Sequence, residues 1–153
     1  MSKVADIKAA INALVSAALT DYYQLPDNLA TSENSNLHLE KGFAVAYGPA
    51  ENNTQNFCQG ELLITRQYDV HLTNIYVPSH DETNRDLLEA AIMESAFTIL
   101  EDLQADVQLG GLAIDTSPTG DTGIQYLVDN ESQEQMITVT IGLSILYSET
   151  IST

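Results

Sequence analysis

Lysine and arginine are scarce in this chain. Five of them stand against 22 Asp and Glu, for a formal net charge of −17. Gripping phosphates takes clustered cations, so a specific nucleic-acid surface is not expected, and attachment to an anionic leaflet is disfavoured for the same reason. Cysteine occurs once, at Cys58. One thiol cannot close an internal disulfide or build a thiolate metal site alone, and it fits folding in a reducing cytoplasm. Long apolar runs are also missing. The most apolar helical stretch, Val4 to Leu19, is interrupted by Asp6, Lys8 and Asn12, so no membrane span is expected. No apolar core followed by a small-residue cleavage site stands near the start, and a signal peptide is not expected either. What the chain does have is 44% apolar residues over 153 positions, enough for one domain with a real core, residues 1–153.

The charge is unevenly placed. Lys3, Lys8, Lys41, Arg66 and Arg85 all precede Asp86, and from there to Thr153 come twelve acids with no Lys or Arg. Such an excess keeps monomers soluble, or it forms a surface facing something that must not stick, such as sliding DNA. Charge alone leaves both readings open.

Periodicity predicts the elements. Val4, Ile7, Ile11, Leu14 and Ala18 recur at helical spacing, with alanine in the gaps, so a helix is expected over 4–23, ending before Pro26. Residues 26–36 read as a loop and 37–47 as a strand. Gly48-Pro49 and the polar stretch 50–60 read as a solvent loop of about ten residues. Glu61 to Val77 alternates strongly, with Leu62, Ile64, Tyr68, Val70, Leu72 and Tyr76 on one parity. Unbroken, it would be roughly 50 Å long, suggesting a bend or a projecting hairpin. Ser79 and Glu82 have capping-box spacing before a second helix reaching Ala105. Its apolar row is Leu88, Ile92, Ser95, Ile99 and Leu103, and Gly110-Gly111 marks the exit. Leu112–Ile114 is expected as a short strand, 115–123 as a loop, Ile124–Asp129 as strand and 130–134 as a turn. Gln135 to Tyr147 is a second strong strand, and 148–153 is expected as a mobile tail. Together these predict an α+β fold: a mainly antiparallel sheet of four to five strands against two helices, with a projecting hairpin or loop.

Candidate chemistry is thin. Asp69 and His71 share a strand face, and His80 and Asp81 lie nearby in sequence. They could ligate a divalent metal, but no HExxH, HxH or Cys pair accompanies them, and an ordinary wet face is the better expectation. Cys58 sits in a polar loop with no neighbouring cation to lower its pKa. Asp121-Thr122-Gly123 is a single copy of a triplet that aspartic proteases need twice, and it reads as a glycine turn. The Asn52 and Asn130 glycosylation triplets are taken as chance matches, and no phosphate-binding loop is present. No catalytic residue, cofactor or metal is therefore expected. Arg66 breaks the apolar parity of the long strand, and Arg85 opens the second helix, where a cation is disfavoured by the helix dipole. Each needs water or an acid, supplied within the chain or by a neighbouring subunit. They are the two candidate subunit-interface residues.

The order of elements resembles the tail terminator (tail completion) proteins of long-tailed bacteriophages. The residues carrying the likeness are the Ala-rich first helix, Gly42-Phe43-Ala44-Val45-Ala46-Tyr47, and the long strand Glu61-Leu62-Leu63-Ile64-Thr65-Arg66-Gln67-Tyr68-Asp69-Val70. Asp86-Leu87-Leu88-Glu89 at the second helix and the closing Ile137-Thr138-Val139-Thr140-Ile141 complete it. The resemblance implies a structural subunit of a homo-oligomeric ring, a hexamer, that caps the tail tube and ends its polymerisation. Its implied partners are the tail tube protein and the head connector or neck protein, with DNA passing through the lumen. It would work in the host cytoplasm during assembly and then in the virion, without cofactor or catalysis. Another head–tail joining or tail tube protein would share the composition, and a small metal-dependent enzyme is a distant third.

Overall fold

The computed structural model describes residues 3–24, 41–53, 60–76, 82–128 and 135–150. Two helices, α1 (Lys3–Ala18) and α2 (Glu82–Ala105), lie on one mixed sheet of six strands. The strands are β1 (Tyr23–Gln24), β2 (Lys41–Asn53), β3 (Glu61–Tyr76), β4 (Asp115–Asp121), β5 (Gln125–Val128) and β6 (Gln135–Thr150). The α+β expectation holds. The strand count is six because a two-residue strand follows α1, pairing parallel with β2, while every other pair is antiparallel.

The centre of the sheet is the β3·β6 ladder. It runs without a register break from Glu61↔Thr150 to Tyr76↔Gln135. Side chains alternate across a strand, so Tyr68, Val70 and Leu72 point to the helices together with Ile137, Val139, Ile141, Leu143, Ile145 and Tyr147. The opposite face is small and polar, with Gln67, Asp69 and His71 opposite Ser144, Gly142 and Thr140. The helices close the apolar face. α1 contributes Ile7, Ile11 and Val15, and α2 contributes Ile92, Ala96, Ile99 and Leu103. Val15 rather than Leu14 lies on the deepest line of α1, at i, i+4, i+8 with Ile7 and Ile11.

The structure departs from the sequence pattern at several places. α1 stops at Ala18, five residues early. Thr20, Tyr22 and Tyr23 are poor helix formers, and leaving the helix lets Tyr22 enter the core and donate its hydroxyl to Ser95 Oγ at 3.2 Å. Asp21 then pairs with Lys41 Nζ at 2.7 Å, fastening the β1–β2 edge at a largely exposed site. Residues 48–53 are strand, not loop. The register shifts between Tyr47 and Ala50, and a bulge on an outer strand accepts Pro49, which has no N–H to donate. Gly48 is required there, since a Cβ would lie 2.8 Å from the Gln67 carbonyl oxygen.

After α2, Leu109–Gly111 form a 3-10 turn and the strand begins at Asp115, so the segment expected as a loop is the sheet edge. Pro118 and a second bulge, before Gly120, disguise it in the sequence. Thr122 spans the gap to β5, its N–H donating to Thr140 O and its Oγ1 accepting from Thr140 N–H. β4 and β5 are thus two halves of one edge along β6. At the other end, residues 148–150, expected in a mobile tail, pair with 61–63. The expected loop 26–36, the strand start 37–40, Ser79 of the capping box, and the 130–134 turn lie outside the described residues.

Ile11 is fully buried between α1 and the sheet. Ile11→Ala is expected to cost about 2–5 kcal/mol in urea unfolding. Gly48→Ala should cost about 1–3 kcal/mol by overpacking against backbone, whereas an Ala at exposed Glu51 changes little.

Candidate functional site

Arg66 lies on the helix-facing side of β3, on the parity of Ile64, Tyr68 and Val70. Its Nε donates to the Tyr147 hydroxyl and its Nη1 to the Gly48 carbonyl, both at 3.2 Å. Among the described residues no carboxylate pairs with it. The Tyr147 bond holds the guanidinium further above its ordinary pKa. The partner inside the chain is thus a phenol and a carbonyl, not an acid. Arg85 falls in the first turn of α2.

Tyrosines surround Arg66. The Tyr68 and Tyr147 rings are fully buried, and Tyr68 donates its hydroxyl to the Val4 carbonyl at 3.0 Å. The Tyr47 ring lies 5.8 Å from that of Tyr68 and remains 46% exposed. Lys8 Nζ sits 4.6 Å above Tyr47, a cation–π arrangement. The N–H of Lys3 donates to Glu149 Oε1, placing an anion at the positive end of α1. This corner gathers Lys3, Lys8 and Arg66, three of the five basic residues of the chain.

The far edge of the sheet carries a different surface. A groove of about 330 Å³ runs between the second half of α2 and β4. Phe97, Leu100, Leu103, Val107, Pro118 and Leu143 line it, and it continues toward Met93 and Asp121. Phe97 is 62% exposed on its wall. At its floor Thr116 is buried and its hydroxyl finds no partner, while Glu101 stands at the rim. Tyr126 on β5 donates to Glu89 on α2, tying the edge strand to the helix.

The two surfaces are well separated. Sheet order β1-β2-β3-β6-β4 puts β2 and β4 three strand spacings apart, or about 14 Å. Large exposed apolar side chains divide the same way. Tyr23 and Tyr47 belong to the β1–β2 edge, and Leu87, Phe97, Ile114 and Tyr126 to the α2–β4–β5 edge. Sequence reasoning found Arg66 but missed its tyrosine ring and the groove. Phe97 gave the available signal, an aromatic on the acidic side of α2 away from the apolar row.

The weighed metal pair is otherwise engaged. Asp69 Oδ1 accepts from Gln67 Nε2 at 3.0 Å, and His71 Nδ1 meets Thr140 Oγ1 at 2.8 Å. Among the described residues no three His, Cys, Asp or Glu gather closely enough to hold a metal ion. His80, Asp81 and Cys58 lie outside them. Asp121 Oδ1 accepts the Gly123 N–H at 2.7 Å, and Gly120 and Gly123 take positive φ, the geometry of a turn between two strands. Among the described residues, too, no helix is long and apolar enough to cross a membrane. No known family model matches this chain, and no curated protein sequence matches it.

Burial pushes the Tyr68 phenol above its ordinary pKa of 10.0. The unfolded chain therefore ionises this group at lower pH than the native protein does. The stability it contributes is present below pH 10 and falls as pH rises past that point. Tyr68→Phe should lower stability at neutral pH by about 0.5–1.5 kcal/mol through the lost bond to Val4. It should also flatten the alkaline fall, as read from urea midpoints over an alkaline pH series.

Proposed function

We propose that the chain is a ring-forming structural subunit of the tail-terminator kind, capping a tail tube and offering a docking face to a head connector. The observation that carries this reading is the division of exposed apolar side chains between two unlike edges of one sheet. Identical patches make a two-fold dimer. Unlike patches on opposite edges make a head-to-tail contact, which closes into a ring when the rotation per subunit divides a full turn.

The charge distribution supports the same reading. Acids dominate residues 86–153, and in a ring those outside the subunit contacts would face solvent or a lumen through which DNA passes without sticking. Repulsion between copies of a −17 chain is screened beyond about 8 Å at physiological salt, leaving apolar contact and strand edges to hold the ring. The implied partners, a tube protein below and a connector above, would meet the two rims, and the site of action would be the host cytoplasm and then the virion neck. The same two-edge geometry equally serves an open helical stack, so a tube subunit is the second reading.

Native mass measured across protein concentration should give one closed species, six copies on the terminator reading. Growth without limit would favour the tube subunit, and a monomer at every concentration would remove the head-to-tail contact. Phe97→Asp, at an exposed position, should abolish assembly and leave the melting temperature of the subunit unchanged.

A further inference from the structure

We infer that the groove between α2 and β4 is the socket for the Tyr47–Arg66 corner of a second copy of this chain. The inference rests on the ring reading and supplies the contact from which that ring is built.

Three independent features converge on this occupant. The first is charge. The elements walling the groove, from Asp86 of α2 through β4 and β6, belong to a stretch with no Lys or Arg. The described cations Lys3, Lys8, Lys41 and Arg66 all sit on α1, β2 and β3. One edge of the subunit therefore holds all the described cations, set among Asp6, Asp21, Glu51, Glu61 and Asp69 with Arg66 lacking a carboxylate, and the edge that it would meet is wholly anionic. Such complementarity fixes register and rejects the two-fold arrangement, in which like would face like.

The second feature is a pair of incomplete polar groups. Arg66 makes two hydrogen bonds to neutral oxygens and none to a carboxylate. Thr116 buries a hydroxyl without a partner on the groove floor. A buried unpaired hydroxyl costs on the order of 1–3 kcal/mol until something bonds it. A side chain entering with a polar tip would complete the groove, and a carboxylate at the rim would complete the guanidinium.

The third feature is shape. The groove is long, apolar and large enough for an aromatic side chain, and the corner presents Tyr47, an exposed ring with a hydroxyl at its end. Tyrosine suits such a socket, because its ring fills apolar space while its hydroxyl bonds at the floor. With Tyr47 seated, Arg66 and Lys8 come to the rim that carries Glu101. A groove that took a free apolar ligand would need neither the rim charge nor the cationic corner.

The test is a charge swap in the full chain. Arg66→Glu sets Glu against Glu101 of the next copy, and Glu101→Arg sets Arg against Arg66. Each variant alone should need at least about tenfold more protein to assemble than the wild type. Their equimolar mixture should recover to within about threefold, because alternating copies then place opposite charges at every contact. Melting curves establish that each subunit is folded. Should Arg66→Glu melt early, Glu101→Arg decides alone, since it changes an exposed helix position. Wild-type-like assembly of Glu101→Arg overturns the socket while leaving the ring intact. A wild type that stays monomeric at every concentration overturns the ring and the socket together.

Discussion

The ladder between β3 and β6 governs everything else in this fold. Sixteen consecutive pairs run from one end of the sheet to the other without a bulge. A one-residue slip would turn every apolar side chain of a strand to the wrong face, so the burial of Tyr68, Val70 and Leu72 with Ile141, Leu143 and Ile145 locks the register. The central ladder carries no bulge, and the irregularities of the sheet fall on its flanks: the bulge at Gly48-Pro49 on β2 and the one between Pro118 and Gly120 on β4.

That arrangement sets where the subunit can meet others. Both helices lie on one face, so the small, polar face of the sheet and its edges are left uncovered among the described residues. On one flank tyrosines and Arg66 gather beside the start of α1. On the other flank α2 crosses β6 toward an edge strand that it does not fully cover, and a groove remains between them. Two unlike edges on a rigid sheet are the geometric requirement for head-to-tail assembly. The uneven charge of the chain follows the same division, since α1, β2 and β3 carry the described cations, and α2 from Asp86 onward, β4, β5 and β6 carry none.

The central elements were legible in the sequence wherever one periodicity ran uninterrupted. The alternation over 61–76 and 135–147 and the helical row of α2 mark the core directly. Legibility failed at the edges. Asp115–Asp121 reads as loop because Pro and Gly are turn formers, and only the pairing partner β6 makes them strand. Residues 48–53 were hidden for the same reason, and 148–150 because a strand end needs its partner at 61–63 to be seen. Arg66 stood out as a break in parity, yet its phenolic and carbonyl partners come from positions 81 residues later and 18 earlier. No local pattern encodes that cluster, nor the groove, whose walls come from α2, β4 and β6.

Cross-linking across copies tests the head-to-tail contact most directly. In a Cys58→Ser background, Tyr47→Cys on β2 and Phe97→Cys, beside β4, lie toward opposite edges of the sheet, about 14 Å apart by strand spacing. That separation exceeds the roughly 7 Å between Cα atoms that a disulfide can bridge. Any disulfide joining them must therefore link two molecules. The account predicts a ladder of linked species under mild oxidation that stops at one closed number. Dimers linked only through like positions, or no linkage at concentrations where the protein assembles, would contradict it.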